Sequence, residues 1–179
     1  MRKIGTTETG PAPTRDGDRG ALYAYRVRGA SRSGIVLWIA GTGDGPDRVL
    51  TSTEGGRRRV PVFVTARQAR LYVRRHGRRL AGPEVAGPLE LVRVQHWLAD
   101  PARRRVPPGQ VLDAWNFFED LARGIDAHHP LLTQGPVQDS AYEKLATGEC
   151  AAWTPEERNA VLGLLTAGLE LWDHARTAA

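Results

Sequence analysis

A chain of 179 residues has room for one ordinary domain, which would bury about 70% of its unfolded surface. A hydrophobic fraction of 41% with five Trp excludes a disordered chain, and a single cysteine, Cys150, excludes an intramolecular disulfide and fits a reducing compartment. The net charge of +5 conceals a division: residues 1–110 hold 21 of the 25 Lys and Arg and 9 of the 20 acids, a net of +12, whereas residues 111–179 hold 4 and 11, a net of −7.

Residues 1–20 are polar and aperiodic and are expected to form a flexible tail ahead of a single α+β domain over 21–179. The opening MRKIGTTETG has no apolar stretch and does not read as a secretory signal. Residues 21–28 (ALYAYRVR) alternate, with Tyr23, Tyr25 and Val27 on one face and Arg26 and Arg28 on the other, which predicts a half-exposed strand. Residues 34–40 (GIVLWIA) are continuously apolar and predict a central strand. Residues 49–53 and 58–64, joined by a turn at Glu54-Gly55-Gly56, complete an expected antiparallel meander. Pro61 lacks a backbone donor and places its strand at an edge or bulge.

Thr65 is placed to cap a helix running to about His76, with Gly77 as its stop. Residues 82–88 read as a Gly/Pro link, residues 89–98 as a helix around Trp97, and residues 100–108 as a basic linker. In 111–125, Val111, Ala114, Trp115, Phe118, Leu121, Ala122 and Ile125 form an apolar stripe. Asp113, Asn116, Asp120 and Arg123 form the opposite face, and Glu119 and Arg123 are spaced as an i,i+4 ion pair. The last helix opens on Thr154, Pro155 and Glu157, a capping box with proline at the first position. It is apolar nearly all round from residue 160 to 172, which predicts burial on more than one side or contact with another chain, so a homodimer is one expected partner arrangement. The uncharged stretch 160–169 is too short to span a bilayer, and a soluble cytoplasmic protein without membrane contact is expected.

No catalytic motif stands out. Gly41, Gly43 and Gly45 follow an apolar strand, but no helix or lysine follows them, so they predict a hairpin and not a phosphate loop. Asp126, His128 and His129, with Glu119 and Asp120 one to two turns back, form a possible enzymatic cluster, yet they match no metal-ligand spacing. Neither a metal nor a cofactor is expected. Cys150 reads as a core residue and not a nucleophile.

The arginines are the main binding candidates. Arginine supplies 23 of the 25 basic residues, a bias of the kind found in GC-rich actinobacterial genomes. Arg67, Arg70, Arg74 and Arg78 fall at i, i+3, i+7 and i+11, and Arg57, Arg58 and Arg59 extend the basic surface. Such a stripe suits an acidic protein partner or nucleic acid, or simply solvates one face.

Three stretches carry a resemblance: VPVFVTARQARLYVRRHG at 60–77, LDAWNFFEDLARGI at 112–125, and AYEKL followed by WTPEE at 141–145 and 153–157. Together they resemble a group of small, uncharacterised bacterial proteins with a Trp-Asn helix, and the first is weakly similar to the N-terminal part of SseB-like domains. The chain departs from that group at 146–149 (ATGE), where a Trp-Gly-Asn-like loop is usual. The resemblance implies no activity. It implies a binding role of the immunity or toxin-neutralising type. The expected fold is an antiparallel sheet of three to five strands with three to four helices, one face covered by the helix after Thr65 and by the helices after Pro108. The expected function is non-enzymatic binding through a charged surface.

Overall fold

The computed structural model describes residues 20–30 and 33–178; apart from Gly20, the expected tail lies outside them. The apolar run at 34–40 becomes β2 (Ser33–Ile39), and Gly34, Ile35, Val36 and Leu37 are all buried. A strand with both faces apolar needs cover on both sides. β1 (Leu22–Arg28) lies antiparallel to it, with Tyr25 opposite Val36. β3 (Arg48–Val49) pairs on its other edge, placing Val49 opposite Trp38. The connecting turn holds Gly41, Gly43 and Gly45 and no helix follows it, as its turn residues predict.

Residues 85–88 of the expected link and the start of the helix expected at 89–98 become a strand. β6 (Val85–Glu90) adds parallel to β1, giving the order β3-β2-β1-β6. The free edge of β1 accounts for this, and Pro88 is tolerated because β6 is itself an edge. The helix then begins later, as α2 (Leu91–Ala99). A second sheet contains β4 (Ser52–Glu54), β5 (Arg57–Val62) and β7 (Arg176–Ala178), in the order β4-β5-β7. β5 is the middle strand, yet β4 pairs only with Arg57, Arg58 and Arg59, while β7 pairs with Val60, Pro61 and Val62. Pro61 therefore has a neighbour on one side only, which reconciles it with an interior strand. Paired backbone bonds between Ile35 and Phe63, at 2.8 and 2.9 Å, join the two sheets.

α1 (Ala66–Arg75) begins with a capping box: Thr65 Oγ1 accepts from the Gln68 amide at 3.2 Å and Gln68 Oε1 accepts from the Thr65 amide at 3.0 Å. Ala69 and Val73 pack against Leu22, Ala24, Ile35, Leu37 and Phe63. Tyr25, Val27, Val36 and Trp38 face the other way, toward α2 and α3 (Pro108–Ile125). The single covered face expected from the sequence is thus replaced by two, with α1 on one side and the C-terminal helices on the other. β1 explains the difference: its arginine-bearing face also carries Leu22 and Ala24, both buried.

Beyond α3 lie α4 (Pro136–Ala146) and α5 (Pro155–Ala175). α4 goes beyond the helices that periodicity predicts, because it buries only Ala141 and Leu145. α5 buries Val161, Leu164, Leu165, Gly168 and Trp172, and its outer positions Gly163, Thr166 and Ala167 are exposed but small. Gly168 permits its closest approach: a Cβ there would stand 2.2 Å from the buried Phe118 ring.

The AYEKL and WTPEE stretches meet. Lys144 Nζ lies 2.8 Å from both carboxylate oxygens of Glu157, Ser140 Oγ donates to Oε1 at 2.6 Å and the Thr154 amide donates to Oε2 at 2.7 Å. The Lys144 bond first, then those from Ser140 and Thr154, hold the buried Glu157 carboxyl down to about 2. A carboxyl depressed in the folded state stabilises it above the unfolded pKa of about 4.3, and that stabilisation is lost as pH falls toward 2. Glu157→Gln is therefore expected to lower the thermal midpoint at pH 7 and to flatten its decline between pH 5 and 2, read by circular dichroism. Gly168→Leu is expected to destabilise the fold by about 1–3 kcal/mol in urea unfolding, through overpacking against Phe118.

Candidate functional site

The outward-leaning aromatics of the sheet face build one wall of a cleft. Tyr23 and Tyr25 alternate onto the same side of β1, and Trp38 joins them from β2, its ring 5.6 Å from Tyr25 and 6.3 Å from Phe117. α3 supplies the opposite wall through Asp113, Asn116, Asp120 and Arg123, and the β2–β3 turn closes one end with Asp47. The volume enclosed is about 590 Å³, within the range of ligand pockets.

The cleft is strongly acidic. Asp47, Asp113, Glu119 and Asp120 line it against one cation, Arg123. Arg123 Nη1 donates to Asp120 Oδ1 at 2.5 Å and Nη2 to Glu119 Oε2 at 2.9 Å, so the ion pair expected from spacing forms and takes in a second acid. Glu119 Oε1 also accepts from Trp115 Nε1 at 2.8 Å and from the Gln134 amide. Asp120 is 6% exposed, and burial pushes its carboxyl up to about 6; Arg123 opposes that rise, while Asp47 and Glu119 add to it. Burial also raises Asp113, and burial with the charge of Asp113 raises Tyr25. Asp113 has no hydrogen-bond or ion-pair partner among the described residues.

The seven candidate arginines have different partners. Arg58 Nη1 donates to the Gly124 carbonyl at 2.9 Å, and Arg59 donates to the His174 carbonyl. These carbonyls end α3 and α5, where a cation satisfies unpaired acceptors and the negative end of the helix dipole. Arg78 lies past the end of α1 and donates to the Gly20 carbonyl at 2.7 Å. Arg57, Arg67, Arg70 and Arg74 are exposed, and Arg70 donates to the Pro83 carbonyl. Arg67, Arg70 and Arg74 thus share α1, while Arg58 and Arg59 reach across to α3 and α5 on the other side of the fold.

The Asp/His cluster is not assembled as an active site. Asp126 Oδ1 accepts from the His128 amide at 3.0 Å, and His129 Nδ1 accepts from the Leu131 amide at 3.2 Å, so both serve the local turns. Of the cluster's members Glu119 and Asp120 line the cleft; Asp126, His128 and His129 do not. Among the described residues no group of three or more His, Cys, Asp or Glu side chains is placed to hold a metal. Cys150 is buried beside α4, and burial raises its thiol, the opposite of activation.

Read as a helical wheel, α3 put Asp113, Asn116 and Asp120 on a solvent face. The signal against that reading is Phe117, which lies at i+4 from Asp113 and three residues before Asp120, and is 1% exposed. An aromatic amid acids marks a polar face that meets other structure. Compared with known proteins, the chain matches no family model, no curated sequence and no solved structure.

The raised Asp120 carboxyl has a signed consequence. A folded-state acid above its unfolded value of about 3.9 favours the folded state most at low pH and withdraws that support as pH rises to about 6. A carbon-detected NMR titration is expected to place the Asp120 midpoint near 6, and Asp120→Asn to remove a decline in thermal midpoint between pH 4 and 6. A midpoint below 4 would show that Arg123 outweighs burial.

Proposed function

We propose that the protein is a non-enzymatic binding protein whose cleft seats a cationic side chain of a basic protein partner. The observation that carries this reading is the meeting of four carboxylates with the Tyr23, Tyr25 and Trp38 rings around one accessible volume. A guanidinium or ammonium group gains from both: charge-assisted hydrogen bonds contribute about 1.5–3 kcal/mol each and ring faces about 0.5–2 kcal/mol. Asp113, unpartnered in the described structure, is the anchor. Asp120 and Glu119 already share Arg123 and are held as a rigid floor.

Enzymatic use of the cleft has less support. Asp120, whose carboxyl is raised to about 6, is bonded to Arg123, and neither a nucleophile with its base nor a metal-ligand group accompanies it among the described residues. An acidic cleft complements the basic site of an enzyme that acts on nucleic acid, and neutralising such a toxin is the role we assign. A cytoplasmic setting belongs to the same proposal; no helix among the described residues is long and apolar enough to cross a membrane.

Isothermal titration with a hexa-arginine peptide, against hexa-glutamate as control, tests the reading. Binding of the first alone is expected, weakened about tenfold or more by Asp113→Asn and by Trp38→Leu to a smaller extent. Equal binding of both peptides, or affinity indifferent to Asp113 and Trp38, would refute a cation site in this cleft.

A further inference from the structure

On the other side of the sheet a second groove, of about 600 Å³, runs between α1 and residues 79–83. Arg70 and Arg74, one turn apart on the helix, face Arg79 across it. No carboxylate lines it. Arg74 and Arg79 are exposed and make no hydrogen bond or ion pair with the described residues. Arg70 spends one donor on the Pro83 carbonyl, which ties the two walls together and fixes its own guanidinium at the rim. The rest of the lining is apolar or small: Val73, Leu80, Ala81, Gly82 and Pro83. A Cβ built on Gly82 meets nothing within 4 Å, so the groove is open there.

We propose that this groove binds a nucleoside phosphate, with the phosphate held by Arg70, Arg74 and Arg79 and the nucleoside lying along Leu80 and Pro83. Two features select that chemistry. A planar carboxylate is satisfied by a single guanidinium fork, whereas a tetrahedral phosphate presents oxygens to donors from several directions. The apolar floor leaves room that a bare inorganic ion would not use. The ligand is thus a free nucleotide or one unit of a single strand, and both present the same group to the same three arginines. This site is independent of the acidic cleft, which lies across the sheet, so either can fail without the other.

Fluorescence anisotropy of a labelled thymidine oligonucleotide with the full chain tests the proposal, at about 50 mM salt and upward. Binding is expected, with competition by AMP. Arg74→Gln and Arg79→Gln should each weaken it about tenfold or more. Each should also reduce the steepness of its salt dependence by about 0.7 in log–log slope. Gly82→Asp sets a negative charge in the open part of the groove and should weaken binding similarly; if it misfolds by circular dichroism, the two exposed arginines still decide. AMP competing as well as an unlabelled strand, per molecule, identifies a free nucleotide as the ligand, and a much tighter strand identifies a polymer. Absence of binding at the lowest salt, indifference to all three substitutions, or competition by hexa-glutamate equal to that by AMP would overturn the proposal, the last in favour of an acidic protein.

Discussion

Burial of β2 on both faces is the constraint from which the architecture follows. Ile35, Val36 and Leu37 are all 0% exposed, and side chains alternate across a strand, so no arrangement with helices on one side satisfies all three. The chain meets this demand by sending α1 to one face and α3 to the other. The charge division then acquires a spatial meaning. α1 carries Arg67, Arg70, Arg74 and Arg75 and no acid, whereas α3 carries Asp113, Glu119 and Asp120 against a single arginine. The arginines of α1 and the acids of α3 thus belong to helices on opposite faces of a shared apolar strand.

Some of this was legible beforehand and some was not, for physical reasons. Local signals sufficed where the decision is local. Thr65 and Thr154 cap the helices they were expected to cap, and the apolar run of β2 marks a central strand. Where the decision depends on what lies opposite, the same reasoning fails. β6 forms because β1 offers an edge, which nothing in residues 85–90 announces. The partners of Arg58, Arg59 and Arg78 are not legible in the sequence because they are carbonyls distant along the chain, those of Gly124, His174 and Gly20. The cleft was hidden for a related reason, since Asp113 and Asp120 are polar whether they face water or a neighbouring wall. Only Phe117, placed between them, carried the distinction.

Two of the three stretches noted for a resemblance, 112–125 and the pair 141–145 and 153–157, are neighbours in space. Trp115 stands edge-on to Tyr142 at 5.4 Å, Tyr142 donates to Asn116 at 3.0 Å, Trp153 donates to the Ala141 carbonyl at 3.0 Å, and Lys144 pairs with Glu157. α4 buries little apolar area of its own, so these polar and aromatic contacts are what seat it against α3 and α5. In this chain the Trp-Asn helix, the Tyr-x-Lys-Leu segment and the acidic start of α5 are thus joined by packing and hydrogen bonds.

The pairing of β7 with β5 has a consequence for how the protein is made. Val60 lies beside Arg176, and Arg59 reaches the carbonyl of His174, so the second sheet joins segments more than a hundred residues apart. During synthesis the hairpin of β4 and β5 emerges early, but a two-stranded hairpin alone is marginal in water. Its third strand is encoded far downstream, so completing this sheet closes a long loop of chain, a contact of high sequence separation. The carbonyls near the ends of α3 and α5 meet the same hairpin, because Arg58 and Arg59, which satisfy them, both sit on β5. One short hairpin thus ties the basic part of the chain to the ends of two helices of the acidic part.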